Sequence, residues 1–128
     1  MRCFVYGTLT DPDTAGGLLD SFTYDGRATV NGLHRVDGTY PTLLPGGAAM
    51  GRILVTPETE AIDRYEGVVS GLYVRVTLPC DDGDTIETYV GDPDRLGVDD
   101  EWPGDGPFDD RVRAYLDAND VRVAIDAV

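Results

Sequence analysis

Residues 56–90 read TPETEAIDRYEGVVSGLYVRVTLPCDDGDTIETYV, and this stretch decides the fold class. Its first part predicts a helix that begins at Thr56–Pro57, where a hydroxyl cap precedes a proline, and ends at Gly67. The apolar stripe of this helix is expected to consist of Ala61, Ile62 and Tyr65. The second part predicts two strands, 72–78 and 85–90, joined by a hairpin-like Asp/Gly turn. A helix followed directly by paired strands is typical of a mixed α+β protein.

The rest of the chain continues this mixture of strands and helices. Strands are predicted at 2–6, in glycine-broken pieces over 22–36, at 49–55 and at 121–125, and helices at 12–20 and 107–118. Loops are predicted at 38–47, which is rich in proline and glycine, and at 91–106, which holds the sole tryptophan, Trp102. The strands and helices do not alternate regularly, so we expect one α+β domain over residues 1–128. So many strands in 128 residues predict a small sheet curled towards a β-barrel, flanked by a few helices.

The charge balance is strongly acidic. Ten cationic residues, all arginine, stand against nineteen aspartates and five glutamates, for a formal net charge of −14. A disordered acidic chain would lack the regular apolar patterns, and an acidic tail would hold its acids in one block. We therefore favour a halophile's cytoplasmic protein, whose charged surface keeps it in solution at high salt. Such a surface repels nucleic-acid phosphate, so we expect no nucleic-acid partner.

Membrane insertion and secretion are not expected. No apolar run approaches the roughly 20 residues that a membrane-spanning helix needs. The opening residues MRCFVYGTLT match a secretory signal poorly, so we expect a cytoplasmic location. The oligomeric state is left open between monomer and homodimer.

Cysteine and histidine are too scarce to suggest a metal centre or a nucleophilic hydrolase. Cys3 and Cys80 are far apart and both lie in strand-like stretches, where a buried free thiol is the common outcome. His34 is the only histidine, so a zinc site would need several carboxylates to complete it. No serine lies in a Gly-x-Ser-x-Gly context. We expect no metal and no cofactor.

The segment Phe4-Val5-Tyr6-Gly7-Thr8-Leu9 is the first candidate for a site, because a strand runs directly into a glycine turn. Glycine lets the backbone turn sharply and a ligand approach closely, so the amides of residues 7–9 could point at that ligand. A plain strand-ending turn is the alternative. The further glycines and the lysine of a phosphate-binding loop are missing.

Glu66 is the second candidate. It lies four residues after Ile62 on the helix and directly before the glycine that ends it. Burial and the negative end of the helix dipole would both raise the pKa of this carboxyl towards neutrality, which suits general acid/base catalysis. The alternative is a frayed helix end with Glu66 in solvent or paired with Arg64 or Arg75. Asp63 is expected at the edge of the helix.

The two candidates and their surroundings resemble the γ-glutamylcyclotransferase-like family, in particular its AIG2-like branch. Tyr6-Gly7-Thr8-Leu9 resembles the family's substrate loop, and Gly38-Thr39-Tyr40-Pro41-Thr42-Leu43 is similar to its Gly-Tyr-Pro-Ala-Leu segment. The run from Ile62 through Glu66-Gly67 to Tyr73 and Arg75 resembles its Leu-Asp-x-x-Glu-Gly and Tyr-x-Arg signature. Thr10-Asp11-Pro12-Asp13 departs from the family, which often carries Arg or Lys with glycine there.

The resemblance implies a mixed β-barrel with flanking helices and a pocket between the loop and the glutamate. Glu66 would be the catalytic acid/base, residues 6–9 would hold the γ-glutamyl group, and Tyr73 would be an aromatic wall or a hydroxyl near the substrate. For Arg75 a site role and a structural ion pair are equally open. The implied reaction releases 5-oxoproline from a γ-glutamyl compound. The other interpretations are a non-catalytic small-molecule binding or regulatory module on the same fold and a structural acidic protein without a ligand.

Overall fold

The computed structural model describes residues 1–126, which form six strands, three α-helices and a 3-10 turn over Thr8–Thr10. The strands are β1 (Arg2–Val5), β2 (Thr23–Asp37), β3 (Pro41–Val55), β4 (Tyr73–Pro79), β5 (Thr85–Gly91) and β6 (Arg122–Ile125). The helices are α1 (Pro12–Leu18), α2 (Thr59–Glu66) and α3 (Phe108–Ala118). The predicted hairpin, the final strand and all three helices are present, with their bounds displaced by a few residues.

The six strands form one mixed sheet in the order β4-β5-β1-β3-β2-β6. β1 runs parallel to β5 and antiparallel to β3, and the remaining neighbours are antiparallel. The sheet curls until its two edges meet beyond the end of β4, where Cys80 bridges to Val123 and the Asp81 amide donates to the Val123 carbonyl at 2.9 Å. The predicted α+β fold with a sheet curled towards a barrel is confirmed.

Alternation along β1 divides the core into two clusters, one on each face of the sheet. Phe4 packs into the larger cluster, which also contains the buried Trp102 of the 91–106 segment. Cys3 and Val5 point the other way and pack with Ile62 of α2. β1 is thus buried on both faces, and the chain that leaves it emerges between the sheet and α2.

The long β2–β3 hairpin corrects the prediction for residues 22–47. The glycine-broken pieces are one continuous strand, and residues 42–47, predicted to be loop, belong to β3. The glycines make irregularities within the ladder instead of ending it: the register shifts between Asn31 and Leu33, opposite Gly46 and Gly47, which have φ values of 101° and 68°. Such bulges bend a strand without ending its pairing.

The start of α2 also differs from the prediction. The helix begins at Thr59, because the Thr56 hydroxyl accepts from the Glu58 amide and donates to the Ser21 carbonyl, which makes a turn before the helix. Its end agrees with the prediction. Among residues 1–126, no helix has both the length and the apolar character needed to cross a membrane.

Candidate active site

A cavity of about 310 Å³ opens where the chain leaves β1. The residues singled out from the sequence all line it: Tyr6, Gly7, Thr8, Leu9, Glu66 and Tyr73. The loop after β1 forms one wall, and the last turn of α2 with the start of β4 forms another. The two stretches are separated by more than fifty residues, and the structure brings them to a single site.

The 6–10 loop is fixed in place through its carbonyl groups. The side chains of Arg35, Tyr24 and Arg52 donate to the carbonyls of Tyr6 (2.6 Å), Leu9 (2.6 Å) and Thr10 (2.9 Å), respectively. The Thr10 amide donates to the Gly7 carbonyl at 3.1 Å. Three of these donors are side chains of β2 and β3, the long hairpin that packs beside the loop. The loop is therefore held through its carbonyls and the Thr10 amide, and the amides of residues 7–9 take no part.

The amides of Gly7, Thr8 and Leu9 donate no hydrogen bond to any residue within 1–126. All three residues line the cavity. A backbone amide without a protein acceptor is rare in a folded chain unless it faces water or a ligand. These three amides are therefore available to water or to a molecule in the cavity.

A side chain at position 7 would not clash with the surrounding residues. Gly7 has a φ of −120°, and a Cβ built there would lie 3.6 Å from the nearest side-chain atom, Cγ of Pro41, which is an ordinary van der Waals contact. Pro41 also lines the cavity. The missing side chain therefore leaves space at the cavity wall and relieves no clash in the fold.

Glu66 is the last residue of α2, and Gly67 adopts a left-handed conformation with φ of 72° directly after it. The Gly67 amide donates to the Arg64 carbonyl and the Val68 amide to the Asp63 carbonyl, the pattern of a Schellman motif. This end places the Glu66 side chain at the cavity. Burial raises the pKa of its carboxyl from 4.5 to about 7, and no charged group or hydrogen bond within residues 1–126 contributes to the rise.

Arg75 does not pair with Glu66. Its guanidinium donates instead to both carboxylate oxygens of Asp63, at 3.1 and 3.3 Å, and the Tyr89 hydroxyl donates to Asp63 Oδ1 at 2.6 Å. The Asp63 carboxylate is half-buried against β4 and β5, which fits the expected place of this residue at the edge of the helix. Arg75 does not line the cavity, and the structural ion pair is the role that the structure gives it.

Residues 3–105, which include the whole cavity, match the model of a protein family described as gamma-glutamyl cyclotransferase, AIG2-like. The chain belongs to this family. The AIG2-like proteins A and C of Arabidopsis thaliana are 29% and 34% identical to it over 113 and 116 residues. Each match covers 77% of this chain, which spans about two thirds of the relatives, 67% and 64% of their lengths.

A solved structure named gamma-glutamyl cyclotransferase has the same fold as this AIG2-like chain. The two superpose with a TM-score of 0.62 and 14% identity, over 93% of this chain and 99% of the other. At this identity the likeness concerns the fold alone. The curled mixed sheet with its flanking helices is therefore the γ-glutamylcyclotransferase-like architecture.

Tyr73 and Tyr6 of this AIG2-like chain stand at the cavity with their hydroxyl groups engaged by the protein. The Tyr73 hydroxyl donates to the Pro41 carbonyl, and the Tyr6 hydroxyl to the Tyr89 carbonyl, each at 2.5 Å. Burial raises the pKa of both phenols, so they stay protonated. Of the two roles expected for Tyr73, this geometry favours the aromatic wall.

Three further tyrosines line the cavity without having been proposed as site residues from the sequence: Tyr40, Tyr65 and Tyr89. Tyr65 was expected in the buried stripe of its helix, but it is 44% exposed and its hydroxyl lies 2.7 Å from the Thr8 hydroxyl. Helical spacing does not distinguish a tyrosine buried in the core from one whose hydroxyl contacts a neighbouring loop. In the sequence Tyr89 has the pattern of an ordinary strand residue, and it lies at the cavity because β5 pairs with β1.

The cysteines do not contribute to the cavity. Cys3 and Cys80 are both buried free thiols, as expected, and burial raises the pKa of each. A thiol with a raised pKa forms little of the nucleophilic thiolate at neutral pH. Within residues 1–126, no three His, Cys, Asp or Glu side chains gather into a group able to hold a metal ion.

Proposed function

We propose that this chain is an active γ-glutamylcyclotransferase, which releases 5-oxoproline and an amine or amino acid from a γ-glutamyl compound. The proposal rests mainly on one observation. The Glu66 carboxyl group, with a pKa of about 7, lines the same cavity as three backbone amides that have no acceptor in the described part of the chain. The carboxyl group is suited to moving protons near neutral pH, and the amides are suited to stabilising a negatively charged oxygen.

The reaction is an internal substitution that needs no nucleophile from the protein. The ionised Glu66 takes one proton from the α-ammonium group of the substrate. The freed nitrogen attacks the γ-carbonyl carbon, a new C–N bond closes the five-membered ring, and the carbonyl electrons move onto oxygen. When these electrons return, the original amide C–N bond breaks and Glu66 gives its proton to the leaving nitrogen. A second proton follows the same route, so the amine leaves as an ammonium ion and Glu66 ends ionised.

The loop has two tasks in this reaction. Its free amides would hold either the α-carboxylate of the substrate or the oxyanion of the intermediate. Among residues 1–126, no arginine, lysine or histidine lines the cavity, so neutral donors would take these negative charges. Holding the glutamyl arm in its folded shape also accelerates ring closure, since favourable intramolecular geometry is worth up to about 7–11 kcal/mol.

A cytoplasmic, salt-rich setting is part of the proposal. The net charge of −14 supports it, because a surface of one sign is shielded where salt is concentrated. The activity should therefore be tested in high salt.

The proposal is tested by incubating the purified protein with γ-glutamyl dipeptides, γ-glutamyl-lysine and glutathione, and measuring 5-oxoproline. We expect product from at least one of them and a loss of about 100-fold or more in Glu66→Gln. Glu60→Gln is the matched control, because Glu60 is exposed on the same helix. If no compound yields product while one of them binds, the chain is the non-catalytic binding module instead. If Glu66→Gln stays within a few-fold of wild type, Glu66 is not the acid/base.

A further inference from the structure

Two neighbouring residues of α2, the helix that carries Glu66, attach it to the β-sheet. Ile62 is the only fully buried residue of this helix. The other is Asp63, whose carboxylate is held by Arg75 of β4 and by Tyr89 of β5. Asp63 lies three residues before Glu66, so the two are neighbours on successive turns.

We propose that Asp63 and Arg75 are positioning residues for Glu66, because their ion pair, joined by the Tyr89 hydroxyl, locks the last turn of α2 against β4 and β5. Neither residue lines the cavity, so each acts through Glu66 and not on a substrate. The inference rests on the role that the proposed function gives to Glu66. Its predicted consequence is that breaking the pair lets α2 move and admits water to the Glu66 carboxyl.

The surroundings of Glu66 make this consequence measurable. The ionisable groups that face it from α2, β1, β4, β5 and the adjoining loops are Cys3, Tyr6, Tyr40, Asp63, Tyr65, Tyr73, Arg75 and Tyr89. Burial raises the pKa of Cys3, Tyr6, Tyr73 and Tyr89, so these groups stay uncharged around neutral pH. The charged side chains nearby are the opposed Asp63–Arg75 pair and Glu87 of β5, which lies near Cys3 as Glu66 does, and none of them contributes to the raised pKa of Glu66. Glu66 therefore titrates near 7 because it is buried, and exposure would return it towards 4.5.

The test is an NMR titration of the Glu66 side-chain carboxyl carbon in the full chain, assigned with Glu66→Gln. In Asp63→Asn and in Arg75→Met we expect the midpoint to fall from about 7 by roughly one pH unit or more, in the same direction in both variants. If the protein turns over a γ-glutamyl compound, kcat should fall about tenfold or more while KM stays within about twofold. Arg75→Lys keeps the positive charge, so the midpoint should fall less in this variant than in Arg75→Met.

The control is Asp120→Asn, which removes the exposed partner of Arg122 at the start of β6 and should leave the midpoint unchanged. An unchanged midpoint in folded Asp63→Asn and Arg75→Met would overturn the proposal, since a merely structural pair affects stability alone. Midpoints that move in opposite directions would also overturn it, because they would show direct electrostatic coupling. Tyr89→Phe provides a milder variant if the other two do not fold. It should also lower the titration midpoint of Glu66, and an unchanged midpoint in this variant would overturn the proposal. The titration needs no turnover, so it stays decisive even if no 5-oxoproline is formed.

Discussion

Replacing Glu66 with glutamine should stabilise the folded chain at alkaline pH while removing its chemistry. The carboxyl has a higher pKa in the folded protein than in the unfolded chain, about 7 against 4.5. Below pH 4.5 it is protonated in both states and causes no penalty. Between 4.5 and 7 the folded state keeps the proton while the unfolded state loses it, so stability falls as the pH rises. Above 7 the folded protein carries a buried anion and the loss is complete.

The size of this loss follows from the same two values. At about 1.4 kcal/mol for each pH unit, ionised Glu66 destabilises the fold by roughly 3 kcal/mol above pH 8. Glutamine has nearly the same shape and no charge, so the variant should be more stable by up to that amount. For a chain of this length, about 3 kcal/mol corresponds to a rise in Tm of roughly 10 °C.

The assay is urea unfolding of wild type and Glu66→Gln at pH 4 and pH 8.5, at one salt concentration. The two proteins should differ by about 3 kcal/mol at pH 8.5 and little at pH 4. Glu60→Gln should show no such pH-dependent difference, because Glu60 is exposed. Equal stability of Glu66→Gln and wild type at pH 8.5 would refute the reasoning, since it would mean that the carboxylate is not buried.

Two glycines give contrasting predictions. Gly7→Ala should still fold, because the new Cβ meets only an ordinary contact with Pro41. It should lower kcat/KM about tenfold or more by occupying the cavity wall. Full activity of Gly7→Ala would mean that position 7 does not border the bound substrate. Gly91→Ala should lower the free energy of unfolding by about 1–3 kcal/mol in a urea titration, because its Cβ would lie 2.5 Å from Leu96 and 2.8 Å from the Tyr73 ring. If Gly91→Ala were as stable as the wild type, the Tyr73 ring would not be packed on β5.

Local sequence patterns predicted the elements that depend on neighbouring residues. The β4–β5 hairpin follows from its alternating apolar residues, and the end of α2 follows from Gly67, which takes the left-handed conformation that such an end requires. The β2–β3 hairpin was missed, because Gly46 and Gly47 signal a loop when read locally. Only pairing with β2 shows that they form a bulge inside a strand.

The same limit applies to the candidate site. Glu66 and the loop at Gly7 could be singled out because each stands beside a glycine that shapes its backbone. The Asp63–Arg75 pair was not predicted, since a residue on a helix edge and one on a strand carry no local sign of contact. The family resemblance supplied what spacing could not, namely that the loop and the glutamate share one pocket.

If Glu66 is the base in ring closure, its ionisation must govern kcat/KM for 5-oxoproline formation, and the pH dependence of this constant is the decisive measurement. Because the carboxylate form must take the first proton, kcat/KM should rise with pH and level off through a midpoint near 7, the pKa that burial gives Glu66. In Glu66→Gln the rise should disappear with the activity. A midpoint near 4.5 in the wild type, or the same rise surviving in the variant, would contradict the account.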